Sequence, residues 1–319
     1  MRLAPFGMLA LGLGLLAACG GGRPVDPVPR PVERPARQAP APAPPPEPVI
    51  EPADRAELRD YYRRIENGLV AQGLLRQDGG GPDTPYDAER LAETFVRVAL
   101  YQEYDTSSGR LVQRETPSRL HRWEGPIRIE TRFGPSVTDA VKARDRNEIV
   151  ALANRLGRAS GHPVSVVPEN GNFTVFTLHE DERLALGPEL RRLVPGLSNA
   201  ALSSVVAMPR SSYCVVFALD PSDTGRYTRA IAIVRAEHPD LLRLSCLHEE
   251  ISQGMGLPND WSAARPSIFN DDEEFALLTN MDEQMLEILY DPRLAPGMTV
   301  ETAAPIVDTI AAEIMGGPS

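Results

Sequence analysis

Apolar positions recur along this chain with two periods. From Ala53 onward they fall at Leu58, Tyr61, Tyr62, Ile65, Leu69 and Leu74. That spacing gathers them on one face of a helix. Asp54 and Glu57 precede it in the pattern of a capping box. The run "GGGPDTP" breaks the pattern, and Leu91, Phe95 and Val98 predict a second helix over Asp87–Tyr101. The period then drops to two: Ile127, Ile129, Thr131 and Phe133 alternate through "GPIRIETRFG", which predicts a strand. "DAVKARDRNEIVALANRLGRAS" is helical again. "PVSVVPENGNFTVFTL" predicts two strands joined as a hairpin at Asn170-Gly171. A short helix near Pro188–Leu193 follows, then strands over Tyr213–Leu219 and Tyr227–Val234. Beyond them the pattern is helical over Pro239–Met255, Asn280–Leu289 and Val300–Met315. Strands with helices between them, followed by a helical C-terminal part, make an α+β layout.

Composition changes this picture mainly at the N-terminus. Arg2 is followed by an apolar run, Leu3–Ala18, that is short for a membrane span. It ends "LAAC", which resembles a bacterial lipobox. The resemblance implies that residues 1–18 are a removed signal and that Cys19 carries lipid. Gly20 after Cys19, by analogy with lipoprotein sorting, points to the outer membrane, facing the periplasm. Residues 19–52 read as a lipidated tether: twelve of the 31 prolines lie in Arg23–Pro52. Such a stretch cannot build a core, and about thirty residues at ~3.1 Å each reach on the order of 90 Å. The remainder divides into a helical segment, 53–125, and a main domain, 126–319. The net charge is −11, with no basic stripe, which argues against a nucleic-acid partner. The expected partners are a membrane, through the N-terminal lipid, and a protein segment or envelope polymer. Of three cysteines, Cys214 and Cys246 remain after Cys19. In an oxidising compartment they form a plausible disulfide that would pin a helix to a strand.

The candidate chemistry lies in "SCLHEEISQGMGLPND", Ser245–Asp260. A zinc helix needs two ligands one turn apart, with a Glu after the first as general base. Starting at His248, Glu249 fits as base, but Ser252 occupies the second ligand position. Starting one residue later gives Glu249-Glu250-x-x-Gln253-x-x-Gly256-x-x-Asn259. This is similar, position by position, to His-Glu-x-x-His-x-x-Gly-x-x-His of the metzincins. Glu250 would then be a remnant general base, and Glu249, Gln253 and Asn259 stand where the metal ligands were. Downstream, Thr279, Asp282 and Tyr290, with Met281 or Met285 as a Met-turn remnant, resemble the metzincin C-terminal part. "RAEHPDLLRLSCLHEEISQGMGLPND" with "ARPSIFNDDEEFALLT" resembles a proteobacterial family known as domain of unknown function 2927, over roughly Pro126–Pro292. The resemblance implies a zincin-like fold: a mixed twisted sheet packed on an active-site-type helix.

Three oxygen donors suit zinc poorly. No resident cofactor is therefore expected, with zinc as the one ion to test. The leading expectation is a degenerate zincin-like domain that binds or scaffolds without catalysis. The alternative is a metallopeptidase using His248 with Glu249 or Glu250 in an unusual shell. Arg229, Arg235, Arg243 and Arg265 are candidate counter-charges for the two glutamates. "NDDEEF", Asn270–Phe275, lacks the alternating acids of a calcium loop and reads as a solvated loop or helix start.

Overall fold

The computed structural model describes residues 53–105, 112–195 and 199–317. The expected signal, Cys19 and the expected tether fall outside these residues. Helices α1 (Ala53–Ala71) and α2 (Ala88–Ala99) come first, then a two-stranded antiparallel sheet of β1 (Tyr101–Asp105) and β2 (Val112–Pro117). The chain continues through β3 (Ile127–Phe133), α3 (Asp139–Ser160), β4 (Val164–Val167) and β5 (Phe173–Leu178). Three short helices, α4 (Glu180–Leu184), α5 (Gly187–Leu193) and α6 (Asn199–Val206), precede β6 (Cys214–Leu219) and β7 (Arg229–Arg235). Helices α7 (Asp240–Gly256), α8 (Asn280–Tyr290) and α9 (Val300–Ile314) complete it. No described helix is long and apolar enough to cross a membrane.

Strands β4-β3-β5-β7-β6 form one mixed sheet in that order. The first four run parallel, and β6 is antiparallel at the edge. Central strands buried on both faces are near-continuous apolar runs, and β5 is buried along its whole length. One face carries the main core, where Phe173, Val175 and Ala232 meet Leu247, Ile251 and Met285. On the other face Phe176, Ile231 and Ile233 meet Leu190 of α5 and Leu202 of α6. Helix α2 joins the main core through Leu91, Phe95 and Val98, so that core runs across the boundary at 125/126.

Local signals set the helix ends. Asp87 Oδ1 accepts from Arg90 N–H at 2.9 Å and starts α2. Thr138 caps α3, which stops at left-handed Gly161. Thr279 and Asp282 form a reciprocal capping box on α8.

The hairpin expected at Asn170-Gly171 does not form. Both strands exist, but each pairs in parallel with β3, one on either side. β4 ends level with Glu130, and β5 begins level with Ile129. Residues 168–172 therefore only have to step across β3. Asn172 fixes the crossing: its N–H donates to Arg128 O at 3.0 Å and its Oδ1 accepts from Arg128 N–H at 2.6 Å. Asn170 is left-handed, φ 59°, so the Asn-Gly pair marks a sharp bend rather than a two-residue turn.

Helix α1 docks on the start of α7. Leu58 and Tyr62 cluster with Leu242, and Glu66 Oε2 accepts from Leu242 N–H at 2.9 Å. That bond satisfies one of the orphan donors of α7's first turn. Tyr62 also stands edge-on to His238, 4.4 Å between ring centres.

Candidate functional site around helix α7

Helix α7 lies against β6 and β7. Its sheet-facing stripe contains Cys246, Glu250 and Gly254, each one turn apart. Cys246 is disulfide-bonded to Cys214 at the start of β6. Gly254 comes so close to the sheet that a Cβ there would meet Phe173 Cζ at 2.4 Å. Its carbonyl accepts from Trp123 Nε1–H at 2.8 Å. Glu250, between the two, is 4 % exposed. Glu249 and Gln253 lie on the neighbouring, half-buried stripe.

Not all the residues picked from sequence come together. Glu249 and Glu250 do: their carboxylate oxygens and Cys214 Sγ lie within 4.8 Å of one another. Gln253 instead donates from Nε2 to Asp260 Oδ1 at 3.0 Å. Asn259 is turned inward, 1 % exposed, and donates from Nδ2 to Arg97 O of α2 at 2.9 Å. Its backbone N–H donates to Val98 O at 3.1 Å. Asn259 thus ties the chain after α7 to the end of α2. His248 is on another face of α7, where its Nδ1 accepts from Leu278 N–H at 3.0 Å.

The arginines proposed as counter-charges are mostly committed elsewhere. Arg235 binds Glu180 and the carbonyls of Met208, Pro209 and Ser212. Arg243 binds Asp145 and Asp240, and Arg265 binds Glu274. Residues 270–275 form turns with a single bridge to Arg76, not a helix start. Glu274 in that stretch is shared by Arg76 and Arg265. Asp282 is fully buried and accepts from Ser267, Ile268 and Thr279. Tyr290 donates its hydroxyl to Met255 O at 3.0 Å, holding the end of α7. Met281 and Met285 are buried in the main core.

These placements bear on the metal chemistry of the disulfide-bonded protein. Zinc favours nitrogen and thiolate donors. A cystine sulfur is not a thiolate, so the Glu249, Glu250 and Cys214 group offers two carboxylates. Gln253, Asn259 and His248 use the donor or acceptor atoms named above for internal hydrogen bonds. That donor set does not fit a zincin-type zinc ion.

Two further groupings take shape only in the fold, one of them around His238, which the sequence offered as a possible ligand with nothing to fix it in place. His238, one residue before Pro239, is 2 % exposed, and its Nδ1 lies 3.8 Å from Cys246 Sγ. Its partners arrive from β6, α1 and α7, so only the folded chain reveals them. Ser136, His179 and Glu182 meet beyond the carboxyl ends of β3 and β5. Ser136 Oγ is 2.9 Å from His179 Nδ1 and 2.6 Å from Glu182 Oε1. Glu182 also accepts from the N–H groups of Ser136 and His179. The carboxylate accepts the serine hydroxyl's hydrogen bond and caps α4, so the trio is a structural knot, not an activated nucleophile.

Burial, with Arg155 nearby, pushes the His248 imidazole down to about 3. Its unfolded value is near 6.5, so below that pH the unfolded chain takes up a proton that the folded chain refuses. Stability is lost as pH falls, by about 2 kcal/mol at pH 5 from this residue. His248→Asn keeps a side-chain acceptor for Leu278 N–H and removes the titration. Urea unfolding at pH 7 and pH 5 is expected to show the wild-type chain losing about 2 kcal/mol more than the variant. Equal losses would mean that His248 is not held neutral in the fold.

The fold and site define an α+β protein in which a mixed five-stranded sheet is pinned by a disulfide to a helix carrying paired glutamates. The chain belongs to the family described as protein of unknown function DUF2927, which matches residues 88–309. That span begins at α2 and ends within α9, so it is wider than the 126–292 suggested by the motifs. No curated protein and no solved structure matches the chain.

Proposed function

We propose that this is a lipid-anchored protein of the cell envelope, held through Cys19 in the outer membrane and facing the periplasm. Its degenerate zincin-like domain binds an extended polypeptide without cutting it. The zincin-like reading is supported by the mixed sheet, its antiparallel edge strand, and the Glu249-to-Asn259 spacing on and after the helix beside that edge. The observation that carries the binding role is the outer edge of β6, which no other strand covers among the described residues.

The register says which groups this edge offers. Ala230 and Ala236 donate to Asn172 O and Leu178 O on the β5 side. Alternate residues 229, 231, 233 and 235 therefore face β6. Through the pairs Leu219↔Arg229, Phe217↔Ile231 and Val215↔Ile233, residues 215, 217 and 219 face inward. Cys214, Val216 and Ala218 turn their N–H and C=O outward. An added strand would pair with these three, the mode by which sheets capture extended peptides. Glu249, half-buried beside Cys214, lies at that end of the edge.

The test is fluorescence anisotropy with a panel of labelled, extended, lysine-containing peptides. Val216→Pro removes one outward N–H and spares the β7 ladder, as edge strands tolerate. Binding is expected to weaken by about tenfold or more in that variant, with an unchanged far-UV spectrum. Wild-type affinity in the variant, or no binding by any peptide, overturns the binding role. Chelator-sensitive cleavage of the same panel would replace it with a metallopeptidase. In cells, Cys19→Ala is expected to abolish incorporation of labelled palmitate; retained label would remove the anchor from the proposal.

A further inference from the structure

The cystine between β6 and α7 has chemistry on both sides that a purely structural cross-link does not need. On the Cys214 side lie two carboxylates, Glu249 and Glu250, within 4.8 Å of Sγ and of each other. On the Cys246 side lies His238, with Nδ1 3.8 Å from that sulfur. His238 Nε2 is buried and makes no hydrogen bond. A neutral imidazole carries one N–H and one bare nitrogen, and a disulfide sulfur is a weak partner for either. The ring is therefore poorly satisfied while the disulfide is intact. Burial and the nearby Arg235 and Arg243 hold it neutral, the form that ligates metals.

We infer that reduction of Cys214–Cys246 creates a divalent-metal site, with both thiolates as principal ligands and His238 and a carboxylate of Glu249 or Glu250 completing the shell. Two sulfurs, one imidazole nitrogen and one carboxylate oxygen make a donor set that suits zinc. The disulfide masks this site by consuming its two strongest donors. The proposal is independent of peptide binding at the β6 edge.

A dithiol reductant opens the site by thiol–disulfide exchange. Cys214 is partly exposed and Cys246 is buried, so the attacking thiolate reaches Cys214 Sγ. A mixed disulfide forms and the Cys214–Cys246 bond breaks, with Cys246 leaving as a thiolate beside His238. The second thiol of the reductant then closes its own disulfide and releases Cys214. Two electrons pass from the dithiol to the cystine, and two protons end on the cysteines. The metal ion displaces both protons to solvent as it binds.

The experiment uses the full chain carrying Cys19→Ser, so that Cys214 and Cys246 are its only cysteines. The protein is reduced with a water-soluble phosphine, freed of reductant without air, and titrated with cobalt(II). Thiolate-to-cobalt charge-transfer absorption is expected to saturate at one equivalent in the reduced chain and to be absent in the oxidised chain. Glu249→Gln and His238→Ala are expected to weaken the reduced chain's affinity by about tenfold or more. If reduction loosens the fold, one equivalent of zinc is expected to restore the near-UV circular dichroism. Equal cobalt uptake by oxidised and reduced protein overturns the inference. So does a reduced chain that binds no cobalt, or one whose near-UV signal zinc does not restore. Unchanged affinity in both variants also overturns it, because the two thiols would then bind without this site.

Discussion

Replacing Cys214 and Cys246 together by serine is expected to lower the unfolding free energy by about 4 kcal/mol. The bridge joins residues 32 apart, and closing a loop of that length removes roughly that much chain entropy from the unfolded state. The place of the bridge adds a local effect. β6 is an edge strand paired only with β7 in its sheet, and its residues are half-buried along their length. Without the cross-link, its hold on α7 rests on side-chain packing. Urea titrations of the wild-type chain and the double variant, both carrying Cys19→Ser, check the size. Amide exchange is expected to rise first in β6 and in the middle of α7. A loss below about 1 kcal/mol would mean that ladder and packing already constrain this corner, and that the bridge is redundant for stability.

Gly256→Ala is the second large effect, expected to cost roughly 3–5 kcal/mol. Gly256 closes α7 at φ 129°, a conformation that side chains rarely adopt. A Cβ there would lie 2.2 Å from His121 O, a main-chain atom with no rotamer to yield, and 3.1 Å from Leu289. Strain and collision therefore add. In a domain of this size the loss corresponds to a melting point lower by about 5–10 °C. Gly68→Ala in α1 is the control: nothing lies within 4 Å of its Cβ position. Removing a glycine from the last turn of α1 is expected to stabilise by about 0.5 kcal/mol. A small cost at Gly256 would show that the turn out of α7 can relax.

Gly256 also shows how much of the site was legible in the sequence. The spacing Glu249-Glu250-x-x-Gln253-x-x-Gly256-x-x-Asn259 picked out the position where the helix must turn sharply, because glycine is a backbone requirement written locally. It could not show that Asn259 turns inward to Arg97, since that partner lies 162 residues away on α2. The same divide runs through the fold. The long helices and the strands of the main sheet follow from apolar periodicity, and the Cys214–Cys246 link from counting cysteines. The pairing of β4 and β5 did not follow, because Asn-Gly encodes a bend and the neighbouring strand is chosen by tertiary packing. β1 and β2 were missed for want of an alternating apolar pattern in "YQEYD" and "VQRETP". α4 was missed for want of length, since five residues carry too few positions to show a period, and α6 was missed as well.

The docking of α1 has a mechanical consequence. Residues 88–309 carry the family match, and α1 precedes them. It is the first described element after the proline-rich chain, so any pull from that side enters at Ala53. The load meets the contacts of α1 in order: Arg55 on Asp181, then Leu58 and Tyr62, and last Glu66 on Leu242 N–H. Such a series peels one contact at a time instead of sharing the force. The fully buried aromatic in that series is Tyr62, the ring that stands against His238. Tension on the leading chain would uncover the histidine beside the cystine while the sheet stays whole, making α1 a strain gauge.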